Sequence, residues 1–275
     1  MPHVPVASDY DFALASERFR SFGDDLLWRS RDGVLHRVVA GQELRIAAAP
    51  GGVEVDPLPA AAVPTVEHLL GLGLDMDGFL RFAATDDVLA RVAARLRGYR
   101  PMLVPDPLEM LVASVTAQQV SLLAATAIRN RLVERFGVRH GEAWAFPLRE
   151  RLAAAEPEEL VACGFSRRKA ETVVVLARAP LDLDALAALP DEDVHAAIVA
   201  LKGFGAWSAD WFLARHLGRP RAWPAGDLGV RKALAHLVLG GRMPTLDEAR
   251  ALGARFAPYE NLAAHFLLLG QRVGA

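Results

Sequence analysis

The sequence predicts an α+β fold, with a small N-terminal antiparallel β-rich subdomain (residues 1–62) ahead of a larger all-α body (residues 63–275). Three observations predict it. Period-two alternation of apolar residues is confined to the first sixty positions, and from about residue 64 the apolar period becomes helical. The length, 275 residues, with 52% hydrophobic and 23% charged residues, is globular composition and enough chain for a sizeable core.

The N-terminal elements follow from local chemistry. Val34, Leu35, Val38 and Val39 form one β-prone run. Leu44, Ile46 and Ala48 alternate with polar or small residues, and Val53 and Val55 do so after Pro50-Gly51-Gly52. Alternation on both sides of such a breaker predicts a hairpin. A short helix is expected around Ser16–Phe22. In the body, Arg81–Arg97 mixes arginine with Ala, Leu and Val at helical spacing. Asp106-Pro107-Leu108-Glu109 is a helix start, with an N-cap carboxylate and proline at the first helical position. Thr245 to Glu248 reads as a capping box. Glu158–Cys163, Arg167–Arg178, Asp191–Leu201, Ala206–Leu217 and Leu228–Leu239 are further helices between Gly/Pro breaks.

Composition excludes several classes of function. One cysteine, Cys163, rules out an intramolecular disulfide, a Cys-ligated iron–sulfur cluster and a Cys-rich zinc site, and a small buried apolar role is expected for it. His195, His216, His236 and His265 lack metal-ligand spacing. Met110 to Ile128 carry no charge over nineteen positions, the length of a bilayer span, but adjacent Gln118 and Gln119 amides would be costly in lipid. A buried helix with a polar spot is expected there. The start, MPHVPVASDYDF, has no basic and apolar leader pattern, so a cytoplasmic protein is expected. The net charge of −2 supplies no global attraction to nucleic acid or membrane.

The chemistry lies between Asp191 and Ala235. Leu201-Lys202-Gly203-Phe204-Gly205-Ala206 joins two helices, and glycines two apart can turn the chain sharply through positive φ. The segment is either a tight turn alone or an anion nest beside a helix N-terminus. Trp207 and Trp211 stand i and i+4 on the second helix and share a face, as core or as the wall of a pocket that stacks on a flat aromatic ligand. Asp210, one position away, faces elsewhere. After Trp223-Pro224-Ala225-Gly226, Asp227 opens a new helix. An N-cap carboxylate is aimed by the amides it accepts from, which also suits stabilising a developing cation.

The run LKGFGAWSADWFLARHLGRP…PAGD resembles the helix–hairpin–helix and Gly/Pro-Asp signature of the HhH-GPD superfamily of DNA glycosylases, and within it the bacterial DNA-3-methyladenine glycosylase II family. The segments RGYRPMLVPDPLEMLVASVTAQQVSLLAATAIRNRLVERFG and GFSRRKAETVVVLA are similar to further helices of that family. The resemblance implies two helical lobes flanking a cleft, Asp227 as the catalytic carboxylate, and Trp207, Trp211 and Leu268 around the base. It implies that Gly203, Phe204, Gly205 and Ala206 grip DNA backbone, with a monovalent cation on backbone carbonyls such as those of Leu201 and Gly203. Gln119, after Gln118, falls on the wedge that fills the gap left by a flipped nucleotide, and Gln118 is expected either to hydrogen-bond DNA or to bridge helices. Lys169, Lys202 and Arg231 are expected on DNA, within the basic groups Arg167–Lys169 and Lys202, Arg215, Arg219, Arg221, Arg231 and Lys232.

The expected partner is double-stranded DNA holding a damaged base, the expected state a monomer, and no cofactor is implied. Only three lysines stand among the 31 basic residues, and none falls on the family's Schiff-base position, which is Trp207 here. The expected reaction is hydrolysis of the N-glycosidic bond of an alkylated purine, of the 3-methyladenine or 7-methylguanine type, without strand cleavage. A glycosylase for deaminated or oxidised bases and a non-catalytic DNA-binding module are the rival readings.

Overall fold

A computed structural model describes residues 2–274. Five antiparallel strands, β1 (His3–Pro5), β2 (Arg29–Arg31), β3 (Val34–Val39), β4 (Gln42–Ala49) and β5 (Gly52–Asp56), form a sheet in the order β1-β5-β4-β3-β2. The predicted hairpin is the β4–β5 pair, in which Ile46 lies opposite Val55 and Ala48 opposite Val53. Leu44, Ile46, Val53 and Val55 are fully buried, whereas Ala48, beside the Pro50-Gly51 turn, is exposed. The N-terminal helical segment forms as two single turns, Phe12–Ala15 and Glu17–Arg20.

Helices fill most of the remaining chain, with start signals where the sequence places them. Asp106 accepts from the Glu109 amide at 2.9 Å, and Thr245 and Glu248 cap each other reciprocally. Two expected continuous runs are broken. Arg81–Arg97 is divided between Met76–Ala83 and Asp87–Arg95, because the Asp86 carboxylate accepts from the Val88 and Leu89 amides and starts a new helix. The uncharged stretch Met110–Ile128 is two helices, Pro107–Ala117 and Leu122–Phe136. Between them Gln119 adopts φ +57°, and Ser121 caps the second helix. None of the described helices is long and apolar enough to cross a membrane.

The helical body also carries a two-stranded hairpin that periodicity did not reveal, β6 (Val138–His140) and β7 (Ala143–Ala145). It is too short to display a period, and tertiary contacts hold it: the Trp144 amide donates to Leu26 O at 3.0 Å, and the Glu142 amide to the Glu43 carboxylate at 2.8 Å.

One apolar core runs from Val4 to Leu269, through sheet and helices alike. A buried polar junction crosses it. Glu109, 2% exposed, accepts from the Trp28 indole at 2.8 Å and pairs with Arg37, whose guanidinium also lies 4.3 Å over the Trp28 ring. Burial pushes the Glu109 carboxyl above its ordinary range, and Arg37 opposes that shift. Removing one partner of such a pair strands the other charge in the core. Arg37→Met should therefore lower the unfolding free energy by about 3–5 kcal/mol, read from urea denaturation monitored by circular dichroism.

Candidate active site

The hairpin between helices Asp191–Val199 and Ala206–Arg215 uses its two glycines differently. Gly203 sits at φ +90°, and a Cβ there would fall 2.2 Å from Thr172 Oγ1 on the neighbouring helix, so both backbone and space require glycine. Gly205 has φ −144°, extended backbone open to any residue, and a Cβ there would meet nothing within 4 Å. The positive φ expected from the spacing thus belongs to Gly203 alone. No intramolecular neighbour requires glycine at 205; a bare backbone at an exposed helix N-cap instead allows close approach from outside. Phe204 is buried beneath the turn, while Lys202, Gly205 and Ala206 are exposed.

Neighbouring segments hold the turn. Gln118 Nε2 donates to Gly203 O at 3.2 Å, and Lys169 Nζ donates to Gln118 O at 2.6 Å and Thr116 O at 3.1 Å. Burial lowers the Lys169 ammonium below its ordinary pKa. Gln118 and Lys169, expected on DNA, therefore brace the hairpin from behind, whereas Gln119 is exposed beside it. Leu201 O accepts from the Phe204 amide. Each of these two hairpin carbonyls keeps a second lone pair.

Behind the hairpin, the second helix carries the site. Trp207 Nε1 and Trp211 Nε1 both donate to Asp227 Oδ2, at 2.8 and 2.9 Å. Asp227 Oδ1 accepts from the Val230 amide at 3.0 Å, so the residue is also the N-cap of helix Leu228–Leu237. Three N–H groups fix the carboxylate, leaving about one of its four acceptor directions open, on Oδ1. A Cβ at Gly229 would stand 2.9 Å from Oδ1 and 3.0 Å from Leu268 Cδ2. Leu268 thus closes in beside the carboxylate, and Gly229, unnoticed in the sequence, keeps that side clear. Its only signal there was a glycine in the first turn of a helix, where it costs stability.

The tryptophans do not share the stacking role expected of them. Trp211 is 1% exposed, with the Arg215 guanidinium 3.6 Å over its ring and the His265 edge at 6.0 Å. It positions Asp227 and has no free face; Trp207 is only partly buried. Of the basic residues expected on DNA, Arg231 donates to Pro244 O at 3.1 and 2.7 Å, and Arg219 and Arg221 pair with Asp191 and Glu260. Lys202, Lys232 and Arg168 are exposed without a side-chain partner among the described residues. Asp210 faces His195 at 3.6 Å, away from the carboxylate site, and burial pushes it up to about 6.

With this geometry in view, known proteins place the chain. Residues 112–258, just over half of it, match the model of the HhH-GPD superfamily base excision DNA repair proteins. The chain belongs to this superfamily. The matched segment contains the hairpin, both indoles and Asp227, and ends before Leu268. Structural similarity extends over the whole chain in a 3-methyladenine DNA glycosylase from Archaeoglobus fulgidus, at TM-score 0.90, 25% identity and full coverage of both chains. A DNA-3-methyladenine glycosylase of Bacillus subtilis is 28% identical over 74% of this chain and 70% of its own. A Schizosaccharomyces pombe 3-methyladenine DNA glycosylase solved with abasic DNA superposes at TM-score 0.63, with 26% identity, over 72% of this chain and 97% of that one.

The hairpin glycines separate stability from binding. Gly203→Ala should lower Tm by at least about 4 °C in a thermal melt, since positive φ alone costs about 1–2 kcal/mol for a side-chain-bearing residue. Gly205→Leu should lower Tm by no more than about 2 °C, the cost of a poorer N-cap, yet weaken duplex DNA binding, read by fluorescence anisotropy, more than about tenfold.

Proposed function

We propose that this HhH-GPD protein is a monofunctional DNA glycosylase that removes alkylated purines from duplex DNA and leaves an abasic site for base excision repair. The observation that carries it is the Asp227 carboxylate, held by two indole N–H groups and a helix amide with one acceptor direction open. A module that only binds DNA has no use for that construction.

The target bond is unreachable in stacked DNA, so the nucleotide must leave the helix, at a cost of a few kcal/mol that is smaller for a damaged base. The hairpin amides at Gly205 and Ala206, with Lys202, Lys232 and Arg168 around them, suit the phosphates; a monovalent cation on the hairpin carbonyls would add positive charge there. Gln119, exposed at φ +57°, suits the vacated space in the duplex. Trp207 and Leu268 flank the everted base. A purine alkylated at N3 or N7 is positively charged and departs without a strong acid. As it departs, the sugar becomes oxocarbenium-like, and the fixed negative charge of Asp227 stabilises it and orients a water at the open Oδ1 position.

No lysine supports strand cleavage. Lys169 is engaged behind the hairpin, Lys202 lies in the turn, Lys232 points to solvent, and Trp207 occupies the Schiff-base position. We read the protein as a cytoplasmic monomer, with the residue 1–62 sheet as a subdomain supporting the helical lobes.

Wild type should release free methylated purine from methylated duplex without nicking it until alkali is added. Asp227→Asn keeps one acceptor, for the helix amide or for the indoles but not for both; with folding verified by near-ultraviolet circular dichroism, it should slow release at least about a hundredfold. Equally little release by both proteins would return the chain to the class of binding modules, equal and substantial release would remove Asp227 from catalysis, and alkali-independent nicking would end the monofunctional assignment.

A further inference from the structure

Beside the Asp227 carboxylate lies a group of guanidiniums that the reaction above leaves without a task. The Arg215 guanidinium lies 3.6 Å over the ring of Trp211, the same indole that donates to Asp227. Among the described residues its side chain has no hydrogen-bond or ion-pair partner, and its Nε is fully buried. Arg18 reaches the same region from the N-terminal segment; it lies 4.4 Å over Phe19 and is likewise without a hydrogen-bond or ion-pair partner. Arg272 completes the group but is paired with Glu17 at 2.8 Å. These cations act on one another and on His265, and the Asp227 carboxylate opposes them at Arg215. Burial, followed by Arg215, Arg18 and Arg272, holds the His265 imidazole well below its ordinary pKa, and burial pushes Arg215 down to about 10 and Arg18 to about 9.

A guanidinium over an aromatic ring still presents its N–H donors at its edge. Of the Arg215 donors only Nε is buried without a partner, which leaves the terminal N–H groups to meet an arriving acceptor. Positive charge alone does not recommend a base here, because the face of Trp211 already carries a protein cation.

We propose that Arg215, assisted by Arg18, reads the carbonyl edge of the everted base, so that the pocket prefers carbonyl-bearing purines, such as 7-methylguanine and hypoxanthine, over 3-methyladenine. This rests on the glycosylase reading and specifies its substrate class. Both methylated purines bring a positive charge toward the guanidiniums, but 7-methylguanine offers O6 to them in return; hypoxanthine offers O6 without the charge. 3-Methyladenine bears the charge and an amino group.

The test is single-turnover base release from three duplexes, carrying 7-methylguanine, hypoxanthine or 3-methyladenine, by wild type, Arg215→Met and Arg18→Met. Methionine retains an apolar stem over Trp211 and removes the donors. The readout is the ratio of the 7-methylguanine rate to the 3-methyladenine rate, which cancels any loss common to both through a disturbed Trp211 or Asp227. In Arg215→Met this ratio should fall about tenfold, and in Arg18→Met about threefold, with the hypoxanthine ratio moving the same way. Should Arg215→Met fail to fold by near-ultraviolet circular dichroism, Arg215→Lys, a point charge without the planar fork, takes its place with the same expected fall. A ratio that stays within twofold of wild type, or a wild type that releases 3-methyladenine alone, overturns the arginine assignment and leaves the glycosylase standing. Absence of release of all three bases by wild type removes both.

Discussion

A single carboxylate organises this molecule's functional half. Asp227 must hold a negative charge against a wall of indole, where water cannot solvate it fully, and it can do so because N–H donors converge on it from two helices. Hydrogen bonds to a charged acceptor are worth about 1.5–3 kcal/mol each, so losing one strands charge rather than merely loosening a contact. The constraint propagates outward. Two tryptophans must share a helix face, that helix must follow a sharp turn, and the helix capped by Asp227 must begin where both indole nitrogens reach one oxygen. Gly229 and Leu268 limit the remaining approach to the other oxygen.

The hairpin is stiffened by the same logic of satisfied polar groups. The chain break after Ala117 leaves carbonyls at a helix end, and Lys169 satisfies two of them. The Gln118 side chain, held at its own carbonyl, reaches across to Gly203. Ser114 and Ser208 join the two helices beneath at 3.2 Å. Three segments distant in sequence thus meet at the turn and fix the place of its backbone amides.

The preponderance of arginine has a structural cause. Arg149 reaches the carbonyls of Ala177, Ala179 and Leu181 at the end of one helix, Arg178 those of Ala153 and Ala155, and Arg100 those of Gly71 and Leu74. A planar fork with five donors can close several orphan carbonyls at once, and an ammonium cannot do so in the same geometry. Basic residues in this chain are therefore largely internal cross-links. For that reason neither the net charge nor runs of arginine in the sequence located the DNA-facing surface: Arg231, Arg219 and Arg221 belong to such links.

What the sequence determined by itself is whatever depends on neighbours along the chain. The β4–β5 pairing around Pro50-Gly51, the caps at Asp106, Thr245 and Asp227, the two-glycine turn and the i, i+4 indoles are local, because turn dihedrals and helix spacing are set within a few residues. Tertiary structure decided everything that depends on which polar group meets which. Nothing in the spacing shows that Lys169 and Gln118 support the hairpin instead of facing DNA, that Trp211 is covered by Arg215 and not open to a base, or that a hairpin at Val138–Ala145 is held against the sheet. Unpaired donors and acceptors seek their partners in three dimensions after collapse, and burial, not sequence distance, sets how strongly each must find one.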